Sequence, residues 1–206
     1  MSLTVRLTGR EATEVRLAVF EPPRFFEAFL RGRSYLEAPD ITARICGICP
    51  VAYQMSSVAA LESALGLEVS PEVYALRRLM YCGEYIESHA LHIYLLQAPD
   101  LLGVPSALDL AAVAPDVVKN ALRMKKIGNE LLKAIGGRSV HPVNVCVGGW
   151  YRWPDMAPIQ ALLPELEWAL EAAMETVKWS LTLPYPELEI DYEFVAIHHP
   201  VEYGVM

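Results

Sequence analysis

Alternation of hydrophobic and polar residues marks the first twenty positions of the chain. Apolar residues recur at every second position in 3–7 and again in 15–19, and Gly9 lies between the two runs. A period of two is typical of half-buried strands, so the pattern predicts two strands joined by a turn at Gly9. Pro22 and Pro23 are expected to close this unit. The tail at 188–195 alternates in the same way and predicts another strand.

The middle of the chain follows a helical period instead. Pro50 predicts the first turn of a helix, because its missing N–H would have no partner there. The apolar residues that follow fall on one helical face as far as Gly66: Val51, Met55, Val58 and Leu65. Three further helices are predicted over 70–97, where Pro99 is expected to end the helix, over 115–135 and over 158–181. The fold class is therefore mainly α, with small β elements at the N- and C-terminal ends, and we expect a single domain over 1–206.

Composition and charge exclude several functions. The 206 residues are 53% hydrophobic and 20% charged, as in a globular protein with a sizeable core. The net charge of −8 disfavours nucleic acid and anionic membranes, both of which attract clustered positive charge. The richest apolar run, 91–102, is interrupted well before the roughly 18 residues that a membrane span needs. The first residues also lack the pattern of a secretory signal, so we expect a cytoplasmic location.

Two of the four cysteines form a close pair. Cys46 and Cys49 are separated only by Gly47 and Ile48. Gly47 is expected to allow a tight turn that points both sulfurs to one centre. Arg44 and the N-terminus of the following helix are expected to favour the thiolate, which is the form that binds soft metals or attacks a disulfide. Taken alone, the spacing leaves open a structural or catalytic metal site, a thiol–disulfide centre and no function.

The surroundings of this pair resemble the large subunits of [NiFe] hydrogenases. The stretch 36–56 contains Arg44-Ile45-Cys46-Gly47-Ile48-Cys49, which is similar to the R-x-C-G-x-C signature of that family. The segments 20–33, 84–92 and 136–144 resemble, in the same order along the chain, the family's preceding segment, its interior helix and its glycine-glycine, histidine-proline loop. This resemblance covers nearly the whole chain and implies a partial [NiFe] hydrogenase large-subunit fold.

The resemblance implies roles for four residues. In the family, the first cysteine of the motif is a terminal nickel ligand, and the second bridges nickel to an iron that carries carbonyl and cyanide. These catalytic metal-binding roles fall on Cys46 and Cys49, and thiolates suit such metals. Glu27 matches a glutamate that helps to hold a magnesium or iron ion, with a solvated helix glutamate as the alternative. His141 matches a histidine near the iron–sulfur subunit, with anchoring of its own loop as the alternative.

The implied activity is reversible oxidation of H2, which is split heterolytically. Tyr53 stands where the family motif often has histidine, which is typical of the soluble branch that couples to NADP or NAD and includes sulfhydrogenases. The chain has no G-x-G-x-x-G and no phosphate loop. Nicotinamide and flavin chemistry would therefore belong to NAD(P)- and flavin-binding partner subunits, and electrons would leave through an iron–sulfur small subunit.

Two segments of the family pattern are missing. The sequence contains neither the R-x-E-G segment nor the D-P-C-x-x-C segment that supplies the other two nickel ligands. We therefore expect an N-terminal fragment, shortened at both ends and inactive by itself. Two alternatives from other classes stay open. One is a non-catalytic, hydrogenase-like structural subunit of an electron-transfer complex, and the other is a small C-x-x-C redox or zinc protein.

The remaining cysteines and one histidine pair have simpler interpretations. Cys82 and Cys146 stand apart from any motif and are expected to be buried small residues. His89 and His92 share a helical face, but no other ligand lies at helical spacing from them. We expect both histidines to be packed and hydrogen-bonded.

Overall fold

The computed structural model describes residues 1–20, 24–198 and 200, and it is built mainly of helices. A hairpin of two strands is followed by helices, a very short second hairpin and two more helices. The elements are β1 (Ser2–Thr8), β2 (Glu11–Ala18), α1 (Phe26–Leu30), α2 (Ala38–Ala43), α3 (Pro50–Leu65), α4 (Pro71–Ala90), a π-helical segment (Leu91–Gln97), α5 (Ala98–Leu102), α6 (Ala107–Val113), α7 (Pro115–Gly136), β3 (Val145–Cys146), β4 (Gly149–Trp150), α8 (Met156–Ala161) and α9 (Leu163–Ser180).

The predicted N-terminal strand pair is confirmed. β1 and β2 are antiparallel, with Leu3 opposite Leu17, and Gly9 in the turn has a φ of 66°. Every side chain of β1 is exposed, including 64% of Leu3, so neither face of the hairpin is buried by the described residues. Pro22 and Pro23, which were expected to close this unit, lie outside the described residues.

The starts of the long helices are also confirmed. Pro50 and Pro71 each lie in the first turn of their helix, and the Ser70 side chain accepts a hydrogen bond from the Val73 N–H. The buried face of α3 differs from the prediction at one position. Leu65 is half exposed, and the buried face continues through Glu62 instead, because that carboxylate is neutralised by a buried arginine.

Pro99 does not end the helix that begins at Pro71. The chain passes from α4 through the π-helical segment into α5, and the helix ends at Gly103, which has a φ of 67°. Pro99 lies in the first turn of α5, and a proline there needs no N–H partner. The wider turn of the π-helix shifts the hydrogen-bond register just before this position.

Two predictions in the C-terminal part are wrong. The helix predicted over 158–181 is two helices, because Pro164 occupies the first turn of α9 and the chain bends at Leu162. The strand predicted over 188–195 does not form: this stretch is exposed and has no regular secondary structure. A strand needs a neighbour for its N–H and C=O groups, and none of the described strands lies beside it.

The core lies where α3 and α7 pack on α4. Buried side chains from these helices form one cluster together with residues of β3 and α8: Val51, Met55, Val58, Leu76, Met80, Leu131, Leu132, Ile135, Val145 and Ile159. α4 and α7 approach closely at Gly83 and Gly128. A Cβ added to Gly128 would lie 2.5 Å from the Gly83 carbonyl oxygen, so only glycine permits this spacing.

A second cluster joins the end of α4 and the π-helical segment to α7 and α9. Tyr94 is buried here, its ring stacks on Trp179, and its hydroxyl is hydrogen-bonded to Thr176. Among the described residues, no helix combines the length and the apolar character that crossing a membrane would require.

Candidate metal centre

Cys46 and Cys49 lie in the turn between α2 and α3, with their sulfurs facing each other. Cys49 is the N-cap residue of α3, and its thiol lies close enough to the Cys46 sulfur for each to shift the pKa of the other. The Cys46 sulfur also accepts the backbone N–H groups of Ile48 at 3.4 Å and of Cys49 at 3.3 Å. Both side chains are partly exposed. The structure therefore brings the two predicted ligands together on an accessible side of the turn.

The two thiols differ in acidity. Burial opposes ionisation of Cys46, but the hydrogen bonds from the Cys49 thiol and from two backbone N–H groups outweigh it and lower the pKa of Cys46. Burial raises the pKa of Cys49 to about 12, and donation of its proton to Cys46 contributes further. Cys46 is therefore the more acidic thiol of the pair.

The expected roles of Gly47 and Arg44 are wrong. Gly47 does not adopt a positive φ, and an added Cβ would meet nothing within 4 Å. The turn is closed by the N–H groups that the Cys46 sulfur accepts, so it does not depend on glycine. The charge of Arg44 helps to lower the pKa of His141 and opposes the burial that raises the pKa of Asp40, and it is not among the interactions that shift either cysteine.

Glu84 is a residue of this site that sequence reasoning missed. It lies on α4 and is only 3% exposed, and its carboxylate accepts the N–H groups of Val51 at 2.7 Å and Ala52 at 3.1 Å. Burial raises its pKa to about 7, against the effect of these two hydrogen bonds. A signal for it exists: α3 begins at a cysteine rather than at Ser, Thr, Asp or Asn, so its cap had to come from elsewhere in the chain.

His141 holds the cysteine turn from the opposite direction. Its Nε2 lies 3.1 Å from the Cys46 carbonyl oxygen, and its own carbonyl accepts a hydrogen bond from the Arg138 side chain at 2.7 Å. The next residue, Pro142, accepts a bond from Gln54 on α3 at 2.9 Å. These contacts support the alternative in which His141 anchors its loop.

Glu27 lies apart from such a network. It is exposed on α1 and forms an ion pair with Arg31 at 3.2 Å. Among residues 1–20, 24–198 and 200, the side chains of His, Cys, Asp and Glu form no group of three or more that could hold a metal ion. A metal-binding role for Glu27 stays a prediction, and the solvated alternative describes its surroundings here.

The remaining candidates are exposed rather than packed. The expectation that Cys82 is buried is wrong, because it lies on the exposed face of α4, while Cys146 is partly buried. His89 is hydrogen-bonded to the Tyr85 carbonyl at 2.8 Å, but both His89 and His92 are exposed, so the prediction that they are packed is also wrong. Both histidines face outward because α7 packs on the other side of α4 and of the π-helical segment that follows it.

The cysteine turn has the donors for a soft transition metal. The two thiols interact with each other and are partly exposed, and a Cβ at Gly47 would meet nothing within 4 Å. Polarizable thiolates are the protein ligands that nickel and low-spin iron favour. Cys46 and Cys49 therefore fit two positions of a metal centre, with room for ligands from elsewhere.

Comparison with known proteins identifies the family. The sequence model described as "Nickel-dependent hydrogenase" matches residues 24–120, which include both cysteines. Sulfhydrogenase 2 subunit alpha of Pyrococcus furiosus is 43% identical over 152 residues, covering 74% of this chain and 37% of that protein. Sulfhydrogenase 1 subunit alpha of the same organism is 37% identical over 177 residues, covering 85% of this chain and 41% of that protein.

A solved structure agrees with these relatives. An NAD+-reducing [NiFe]-hydrogenase in the H2-reduced state superposes with a TM-score of 0.74 and 34% identity, over 83% of this chain and 40% of that one. The chain therefore spans about two fifths of the length of the proteins it matches. Over the part it shares with them, this chain belongs to the nickel-dependent hydrogenase family.

Proposed function

We propose that this chain is part of the catalytic subunit of a [NiFe] hydrogenase and that Cys46 and Cys49 are two of its metal ligands. The observation that carries the proposal is the facing pair of sulfurs at the start of α3, in a chain of this family. By resemblance, Cys46 is the terminal nickel ligand, and Cys49 is the bridge to an iron that carries carbonyl and cyanide. When bound, such a centre supplies the Lewis-acidic site at which H2 is split heterolytically.

The chain's own residues would orient the ligands. His141 fixes the Cys46 carbonyl, and the N–H groups of Ile48 and Cys49 support negative charge on the Cys46 sulfur. Metal binding requires Cys49 to lose the proton that it now donates to Cys46, so binding releases a proton. The Cys49 thiol would then bind as a thiolate, because a bound cation would lower its pKa.

Partner subunits complete the proposed enzyme. The relatives are named alpha subunits, which supports further subunits as partners. An iron–sulfur small subunit, NAD(P)- or flavin-binding subunits and a cytoplasmic location belong to the proposal. A cavity of about 730 Å³ beside the cysteine turn is lined by aromatic and charged side chains: Phe26, Phe29, Arg33, Asp40, Arg44 and Tyr151. Aromatic residues and arginine are enriched at protein interfaces, which supports this face as a partner surface. A magnesium ion at Glu27 belongs to the same proposal.

One observation favours a second candidate function. The lowered pKa of Cys46 beside the raised pKa of Cys49 is the combination expected of a thiol–disulfide centre, in which one sulfur attacks and the other resolves. A closed zinc site has less support, because it requires about four ligands, and the described residues contribute only this pair. A non-catalytic hydrogenase-like subunit has less support as well, since both cysteines are intact.

A metal titration of the purified chain tests the proposal. We expect Ni(II) to produce thiolate-to-nickel charge-transfer absorption that Cys46→Ser and Cys49→Ser each weaken. Cys82→Ser is the matched control, because this exposed cysteine lies outside the turn. Absorption that survives loss of both Cys46 and Cys49 would contradict the proposal. Rapid, reversible disulfide formation by a pair that binds no nickel would favour the redox function instead.

A further inference from the structure

Glu84 caps a helix to which it does not belong. It lies on α4, 33 residues away in sequence from Val51, yet its two carboxylate oxygens accept the N–H groups of Val51 and Ala52 in the first turn of α3. The carboxylate is buried, with 3% of the residue exposed. Its backbone is fixed by the close approach of α4 to α7 at the preceding Gly83.

Each backbone N–H group at the start of α3 already has an acceptor, either Glu84 or the Cys46 sulfur. Cys49 is the N-cap, and its N–H is donated to the Cys46 sulfur at 3.3 Å. Pro50 has no N–H to donate. The next two N–H groups go to Glu84. The first turn of α3 therefore leaves none of its early donors for the Cys49 side chain.

An N-cap side chain ordinarily folds back to accept one of the next two or three N–H groups. A cysteine sulfur is a weak acceptor that can take this role when nothing better is present. Here the Cys49 sulfur makes no capping hydrogen bond, and its thiol turns toward Cys46 instead. The occupied donors explain this orientation, because a carboxyl oxygen is a stronger acceptor for an N–H group than a thiol sulfur is.

We propose that Glu84 is a positioning residue of the metal site: it caps α3 in place of Cys49 and so leaves the Cys49 sulfur free to face the same centre as Cys46. This inference rests on the proposed function, in which both sulfurs bind one metal. Glu84 acts through the start of α3, and none of the hydrogen bonds around the turn joins it to either sulfur. Its effect is therefore on ligand geometry and not on the identity of the ligands.

The first experiment measures Ni(II) binding by the full chain and by three variants. Glu84→Ala removes both acceptors, and Glu84→Gln keeps the shape but only one good acceptor. Glu87→Gln is the matched control: Glu87 is also buried on α4, one turn further along, but pairs with Lys125 on α7. We expect Glu84→Ala to weaken Ni(II) binding by about 10- to 100-fold, the range found for partners that orient metal ligands. Glu84→Gln should have a smaller effect and Glu87→Gln none.

A spectroscopic signature separates positioning from general loss of structure. If the Cys49 sulfur turns back to cap α3, nickel saturated on Glu84→Ala should show about half the thiolate charge-transfer intensity per bound metal, since one thiolate donor remains. Circular dichroism checks that the variant is folded. If Glu84→Ala does not fold, Glu84→Gln decides the question, because a wild-type affinity and band intensity in that variant would overturn the proposal.

A second experiment does not depend on nickel. Phenylarsine oxide bridges two thiols only when they face each other, so its binding reports the orientation of the pair directly. We expect the wild-type chain and Glu87→Gln to bind it through Cys46 and Cys49, and Glu84→Ala to bind it more weakly. Equal binding by Glu84→Ala and wild type would overturn the positioning role. Wild-type binding of the arsenical without any binding of nickel would instead refute the proposed function and leave the role of Glu84 standing.

Discussion

The Nε2 atom of His141 lies 3.1 Å from the carbonyl oxygen of Cys46, although the two residues are 95 positions apart in the sequence. In the neutral tautomer with hydrogen on Nε2, the ring donates to that carbonyl. His141 itself has a φ of 51°, which is rare for a residue with a side chain. This contact holds the beginning of the cysteine turn at Cys46, and the Glu84 cap holds its end at the first turn of α3.

Replacing His141 tests the first of these contacts. We expect His141→Ala to lower the free energy of unfolding by about 0.5–1.5 kcal/mol, the usual net contribution of one hydrogen bond, as measured by urea denaturation.

Burial, the nearby Arg44 charge and Arg138 lower the pKa of His141 from its ordinary value of 6.5, against the effect of the Cys46 carbonyl. As the pH falls, the His141 side chain therefore takes up a proton at a higher pH in the unfolded chain than in the folded chain. Stability present above pH 6.5 should fall as the pH drops through the folded pKa, and the variant should lack this part of the acid dependence.

His89→Ala provides the control for that measurement. His89 is exposed and bonded only within its own helix. Its replacement should change the free energy of unfolding at neutral pH by less than about 0.5 kcal/mol. An identical acid profile for the His141 variant and wild type would mean that the burial and the arginine charges that lower the pKa of His141 do not act in solution.

The buried ion pair between Arg77 and Glu62 is the second test. Two N–H groups of Arg77 reach the Glu62 carboxylate at 2.7 and 2.8 Å, and both side chains are about nine-tenths buried. Arg77→Met leaves this buried carboxylate without its counter-charge and with the Gly148 N–H as its remaining donor, so we expect a loss of about 3–5 kcal/mol in the free energy of unfolding. Lys178→Met removes an exposed pair with Glu175 and should change it by less than about 1 kcal/mol. Equal effects of the two substitutions would contradict the burial of the first pair.

The same pair predicts a pH dependence at acid pH. Burial opposes ionisation of Glu62, but hydrogen bonds from Arg77 and from the Gly148 N–H outweigh it and lower the pKa of Glu62 below its ordinary value of 4.5. The resulting stability is present above pH 4.5 and is lost as the pH falls through the folded pKa. Glu62→Gln should remove this decline, as followed by urea denaturation between neutral and acid pH.

The contact between α4 and α7 is the third test. A Cβ at Gly128 would lie 2.5 Å from the Gly83 carbonyl oxygen and 2.7 Å from the Glu87 nitrogen, and both are backbone atoms that cannot move aside. We expect Gly128→Ala to destabilise the chain by about 1–3 kcal/mol through overpacking. Gly47→Ala is the matched control, because a Cβ there meets nothing within 4 Å, and it should change the free energy of unfolding by less than about 0.5 kcal/mol. Thermal unfolding of both variants checks the prediction.

The protonation of Glu84 is the fourth test. Burial raises its pKa to about 7 from the ordinary 4.5, and the charge of Glu87 contributes in the same direction. The folded chain then binds this proton more tightly than the unfolded chain, so stability present below pH 4.5 should decline as the pH rises through about 7. Glu84→Gln should lack this decline. A decline that persists in the variant would show that other groups cause it.

The sequence predicted correctly those features that depend only on residues a few positions apart. Pro50 and Pro71 start helices because a proline lacks an N–H that would in any case be unpaired, and this holds wherever the helix packs. The facing of Cys46 and Cys49 follows from their spacing in the same local way. The family resemblance stated from these residues is confirmed by the match over residues 24–120.

Features that depend on a distant neighbour were missed or wrong. The alternation at 188–195 is that of a strand, but a strand forms only beside another, and no described strand lies there. Pro99 was expected to end a helix, yet the π-helical turn before it lets the chain continue. Leu65 was assigned to the buried face that Glu62 occupies, because only the fold shows that Arg77 is there to neutralise the carboxylate.

The sequence by itself determined the soft sulfur pair, the helix that begins at Pro50 and the family to which the chain belongs. Only the tertiary structure decided what holds the pair in place, namely Glu84 from α4 and His141 from the loop after α7. The physical reason is the range of the interactions. Caps and turns are set by neighbours in sequence, whereas an N–H group or a carbonyl without a local partner takes whichever group the packing of the helices brings within about 3 Å.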